Sequence, residues 1–143
     1  MRYIIFVKAT PDSEAGKWPE ARALEKLIGD MATFHEELHK AGALLDASGL
    51  KPSSAGWRVR YGGGKRTVID GPFAETKELV AGYTLIQAKS REEALEWSRR
   101  FPNPAGEGMP AEIEVRELHD LDEIGAVEGS GKGVERFREM GMK

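Results

Sequence analysis

A chain of 143 residues, 40% of them hydrophobic and 31% charged, is sized for one domain with a packed core of its own. A net charge of −3, with Lys and Arg scattered along the chain, argues against a nucleic-acid partner. The lack of cysteine removes disulfides, thiolate metal sites and a Cys nucleophile, and no stretch reaches the roughly 20 apolar residues that span a bilayer.

Residues 2–9 are rich in β-branched and aromatic types and apolar on both faces, as a central strand requires. This run is too short for a secretion signal and no small-residue cleavage site follows, so the expected location is cytoplasmic, with no membrane association. Residues 10–17 read as a loop, and Trp18-Pro19 marks a helix start. Over residues 20–40, Leu24, Leu27, Ile28, Met31, Phe34 and Leu38 recur at helical spacing, and Ala41-Gly42 supplies the stop.

Residues 43–50 read as a second strand. Trp57, Val59 and Tyr61 then alternate with Arg58 and Arg60, the pattern of a strand with one polar face. Gly62-Gly63-Gly64 turns it into a returning strand over 66–70. A strand over 81–88 follows, then a helix capped by Ser90 with Glu93 three residues on, ended by Pro102. After a Pro/Gly loop at 103–110, Ile113 and Val115 alternate with Glu112, Glu114 and Arg116 in a last strand.

The order β-α-β-β-β-β-α-β predicts an α+β fold, a ferredoxin-like split β-α-β sheet with an inserted β-hairpin. Residues 1–120 are expected to form this domain. Residues 121–143 are expected to form a C-terminal extension, glycine-rich and loose over 125–133 and then a short helix. Apolar strand faces beyond those that two helices can cover point to a homodimer.

The stretch Asp70-Gly71-Pro72-Phe73-Ala74-Glu75-Thr76-Lys77-Glu78 reproduces, letter for letter, the motif of the YCII-related (DGPFAETKE, or DGPF-domain) family. The chain resembles that family over about residues 1–118. Flanking segments in the expected order support the match: Ala41-Gly42-Ala43-Leu44-Leu45, Gly49-Leu50-Lys51-Pro52, Ala81-Gly82-Tyr83 and Ile113-Glu114-Val115-Arg116. It departs from shorter members at the 103–110 loop and after Asp120. The resemblance implies a dimeric α/β-barrel with a cleft beside the motif and no settled activity. Some members are encoded near extracytoplasmic-function sigma factors.

Within the motif, Asp70 ends a strand and Gly71-Pro72 turns the chain away, which aims a carboxylate toward a cleft. Phe73, Glu75, Lys77 and Glu78 follow as ligand-binding candidates, with opposite charges close enough to converge on Asp70. The plainer alternative has Asp70 capping a turn and Phe73 plugging the core. His35, on the apolar stripe of the first helix, is either a satisfied packing residue or a general base paired with Asp70.

The letters His35-Glu36-Glu37-Leu38-His39 match a zinc-protease helix formally. His35 lies on the packing stripe, however, and only His119 offers a third ligand, so no metal and no cofactor is expected. Arg58, Arg60 and Arg66 are expected to share the polar face of the hairpin, against solvent or an anion. Three readings follow: a small-molecule binder beside the motif, an acid/base enzyme using Asp70 and His35, and a regulatory module of a sigma-factor circuit.

Overall fold

The computed structural model describes all 143 residues. Its strands are β1 (Arg2–Lys8), β2 (Leu44–Gly49), β3 (Trp57–Gly62), β4 (Lys65–Asp70), β5 (Val80–Gln87) and β6 (Ile113–Glu117). Its helices are α1 (Pro11–Glu14), α2 (Ala21–Lys40), α3 (Arg91–Arg99), α4 (Leu121–Gly125) and α5 (Gly131–Glu139). Four strands form one sheet in the order β2-β5-β1-β6, every neighbouring pair antiparallel, and β3-β4 stands as a separate two-stranded sheet. The fold is the ferredoxin-like split β-α-β sheet with an inserted hairpin.

Strand periodicity sorts β1 into two faces. Tyr3 and Ile5 point into the core, where they meet Phe34 and Leu38 of α2, Ile86 and Ala88 of the β5 end, and Ala94 and Trp97 of α3. Ile5, Leu38 and Ile86 are wholly buried, each worth about 1.5–3 kcal/mol of transfer free energy. The register then places Ile4 opposite Leu85 and Phe6 opposite Tyr83 on the face turned away from α2 and α3. All four are half-buried.

Helix α2 buries Phe34 and Leu38, one turn apart, while Ile28 of the expected stripe is 54% exposed. The helix therefore packs through its C-terminal half. Ser90 caps α3 by accepting from Glu93 N at 3.1 Å, and the Glu93 carboxylate reaches back to Lys89 N at 2.9 Å.

Three local expectations need correction. The 10–17 stretch contains α1, because Thr10 and Ser13 form a reciprocal capping box around Pro11. The 125–133 stretch is only in part a connection: α4 runs to Gly125 and α5 begins at Gly131, with Val134 buried and Arg138 bound to Asp122 at 2.5 Å. The tail also returns to β1, where Arg2 Nη2 donates to Lys143 O at 2.9 Å.

The third correction concerns the hairpin. Its loop is two residues, Gly63 and Gly64, both at positive φ (57° and 74°), between the Gly62–Lys65 pair. That register sets Arg66 opposite Tyr61, with its guanidinium 5.1 Å from the ring centroid. Arg66 thus joins the Trp57, Val59, Tyr61 and Val68 face, while Arg58 and Arg60 share the opposite face with Thr67 and Ile69. The apolar face stands open, with Trp57 66%, Tyr61 72% and Val68 64% exposed.

Candidate functional site

The motif is held at its start by two hydrogen bonds, one of them to a residue that is itself fixed by Glu14. Gly71 N donates to Gly56 O at 2.9 Å. Phe73 N donates to Ser53 Oγ at 3.0 Å, and Ser53 Oγ donates in turn to Glu14 Oε2 at 2.5 Å. Glu14 Oε1 also accepts from Ser53 N at 3.0 Å, so one carboxylate of α1 grips the connection between β2 and β3. Gly71 has no room for a side chain: a Cβ there would lie 1.9 Å from Ser53 O.

Beyond Phe73 the chain enters a 3₁₀ turn over Thr76–Glu78. Glu75, just before it, sits in the left-handed region at φ 63°, ψ 68°, a conformation that disfavours a residue with a Cβ by about 1–2 kcal/mol. Strained positions of this kind cluster at functional sites and switch regions. Phe73 is half-buried outside the core cluster, and the Arg58 guanidinium lies 3.8 Å from its ring centroid.

Asp70 is exposed and its side chain makes no hydrogen bond, so it caps nothing. Glu75, Lys77 and Glu78 are exposed as well. None of the chain's ion pairs includes any of these four side chains, so the charges of the motif are close in sequence without pairing to one another.

His35 is placed differently. Its Nδ1 lies 2.7 Å from Met31 O, and a carbonyl only accepts, so the proton resides on Nδ1. Nε2 lies 2.8 Å from Thr84 Oγ1 and in the neutral ring accepts from that hydroxyl. The ring meets Phe34 and Phe101 edge-on, at 5.4 and 6.1 Å between centroids. Both nitrogens are satisfied within the helix-covered side of the sheet, and no hydrogen bond or ion pair joins His35 to Asp70. His39 is exposed on the next turn of the helix, and no group of three metal-ligating side chains converges anywhere in the chain.

Two shallow, open grooves lie on the surface, and the motif lines neither. One, of about 520 Å³, runs between α4 and α5 beside Asp122, Val134 and Arg138. The other, of about 360 Å³, lies beside Asp30, Phe34, Glu37 and Arg100. Polar residues that the sequence reading passed over sit on the sheet face turned away from α2 and α3. Tyr83 Oη donates to Asp46 Oδ2 at 2.7 Å, and Lys8 Nζ lies 3.7 Å from Glu114 Oε1. The hydrogen bond to Asp46, then burial and the carboxylate's charge, push the Tyr83 phenol above its ordinary range. The signal for Lys8 was available: it follows Phe6 by two residues and so shares its face.

Comparison with known proteins bears on this geometry. The family model of the YCII-related domain matches residues 1–119. An uncharacterized protein of Rhizobium meliloti (strain 1021), R00369, is 37% identical over 79 residues, 55% of this chain and 64% of that protein. The chain thus spans less than two thirds of that relative. A solved structure of 5-chloro-2-hydroxyhydroquinone dehydrochlorinase from Burkholderia phenoliruptrix AC1100, in complex with 2,5-dihydroxybenzoquinone, aligns over 84% of this chain and 95% of its own. Its TM-score is 0.42 at 12% identity, too distant a likeness to transfer an activity. With the motif intact and the match running from the first strand through the last, the chain belongs to the YCII-related family.

Proposed function

We propose that this protein binds a small molecule beside the 70–78 motif and works as a homodimer in the cytoplasm. One observation carries the reading: the motif is held far more firmly than its own side chains can account for. Ser53, Gly56 and Glu14 anchor it, Gly71 is packed without space for a Cβ, and Glu75 is kept left-handed. Yet Asp70, Glu75, Lys77 and Glu78 are exposed, and none of their charges is engaged in an ion pair within the chain. A preorganised loop with unengaged charges is suited to a ligand, with Phe73 and its stacked Arg58 as an apolar and cationic flank.

The homodimer is supported by Ile4, Phe6, Tyr83 and Leu85, which form an apolar strip on the two central strands, flanked by Asp46, Ser48, Glu114 and Arg116 on the edge strands. An apolar centre with a polar rim is the usual composition of a protein interface. An acid/base step would fall to Asp70 as carboxylate, with His35 taking part only by exchanging Thr84 for substrate; unchanged turnover in both Asp70→Ala and His35→Ala rules that step out.

The test is the mass of the freshly purified protein under native and denaturing conditions. A dimer carrying excess mass supports the reading and gives the ligand class. A clean dimer moves the assignment toward a protein partner, as in a sigma-factor circuit, and a monomer removes the interface.

A further inference from the structure

The β3–β4 hairpin stands almost alone. Every residue of β3 is exposed, and in β4 all but Ile69 are. No hydrogen bond or ion pair joins residues 57–70 to the rest of the chain, and the ribbon is fixed at its base, where Gly71 N meets Gly56 O. Two strands without a further layer are only marginally stable in water.

Its two faces differ. Arg58 stacks on Phe73 of the motif at 3.8 Å, and the half-buried Ile69 lies directly opposite Arg58 on the same face. That face is turned toward its own chain. By the two-residue period of a strand, Trp57, Val59, Tyr61 and Val68 point away from it. At 66% and 72% exposure, Trp57 and Tyr61 alone present on the order of 300 Å². With the two valines added, the patch reaches the size at which exposed apolar surface marks an interaction site.

Charge and area indicate what covers it. Arg58, Arg60, Lys65 and Arg66 stand against Asp70 alone, a local charge of +3 over residues 57–70. The whole chain carries −3, so the residues outside the hairpin sum to −6. None of the four basic side chains has an ion-pair partner. A basic, apolar ribbon is thus complementary to the body of another copy of the same chain. The strip of Ile4, Phe6, Tyr83 and Leu85 needs such an addition: four half-buried side chains fall well short of the roughly 800 Å² per partner of a standard interface. The connection to the hairpin leaves the main sheet at the Gly49–Gly82 pair, one residue from Tyr83, so the arm begins at the margin of that strip.

We propose that β3–β4 is an arm that clasps a second copy of this chain, with its Trp57, Val59, Tyr61 and Val68 face laid on that protomer's acidic surface. Two-fold symmetry covers both arms at once and closes the assembly. Because the reverse face holds Arg58 against Phe73, seating the arm also fixes one flank of the motif. The proposal rests on the homodimer reading above and adds the contact that completes it.

The experiment follows Trp57 by acrylamide quenching in the Trp18→Phe chain, where the only other tryptophan, Trp97, is buried. Sedimentation at each concentration reports monomer or dimer. Trp57 should be shielded in the dimer and accessible in the diluted monomer. The double variant Trp57→Ser with Tyr61→Ser, checked for an unchanged far-ultraviolet circular dichroism spectrum, should raise the dimer dissociation constant at least about 100-fold, the loss of two aromatic anchors. An equal dissociation constant in that variant overturns the inference. Shielding that survives in the monomer overturns it too, because the arm then folds back on its own chain. A dimer with Trp57 accessible overturns the clasp, leaves the homodimer standing and gives this face to another protein or a nucleic acid. A monomer at every concentration removes clasp and homodimer together and leaves the small-molecule reading to the mass measurement.

Discussion

Gly71→Ala should release the hairpin from the body of the protein. An alanine Cβ would stand 1.9 Å from Ser53 O and 2.7 Å from its carbonyl carbon, both backbone atoms that cannot rotate aside. The motif must retreat, which breaks the bonds from Gly71 N to Gly56 O and from Phe73 N to Ser53 Oγ. At about 1 kcal/mol net for each hydrogen bond the loss is about 2 kcal/mol, or roughly a 30-fold rise in local opening. Hydrogen exchange of the β3 and β4 amides measures this directly. Gly56→Ala is the control, because its Cβ would meet Ser53 O at an ordinary 3.7 Å and its φ is −119°. Exchange in Gly71→Ala within about twofold of wild type, the range of neutral surface changes, would refute the reasoning.

Other consequences follow from single groups. Glu75→Gly should raise stability in urea unfolding by roughly 0.5–1 kcal/mol, since relief of left-handed strain exceeds glycine's entropic penalty; a fall would show that Glu75 holds the loop through a contact of its own. Tyr3 Oη is buried without a partner, so Tyr3→Phe should leave the Tm unchanged or higher, and a clear drop contradicts the orphan assignment. Tyr83 has a raised pKa in the folded state, so its contribution to stability is complete below the unfolded value near 10 and is lost as pH climbs through the folded one. Absorbance titration at alkaline pH should show a late phenol in the wild type that moves earlier in Asp46→Asn; an unmoved titration removes Asp46 as the cause.

The strand and helix order was legible because most elements carry their period openly, as Ile113 and Val115 do against Glu114 and Arg116. The side on which Arg66 falls was not, because the parity of a returning strand depends on whether the glycine turn holds two residues or three. The bulges at Ala81 and Leu45 leave no compositional mark, which hid the placement of Asp46 beside Tyr83. The motif stood out by its letters, but what anchors it, Glu14 and Ser53, lies far away in sequence and shows only when the chain is folded. For His35 the stripe left a packing residue and a general base both open, and what the folded chain adds is that the half-buried imidazole bonds to Met31 and Thr84.

The most direct test of the proposed function compares wild type with Asp70→Asn by native mass spectrometry, alongside thermal unfolding of both. Asp70 is exposed and its side chain makes no hydrogen bond, so the variant should unfold at the wild-type temperature. A binding site at the motif predicts a dimer carrying a small-molecule adduct in the wild type that is lost or diminished in the variant. An adduct of equal occupancy in both, or none in either, contradicts it.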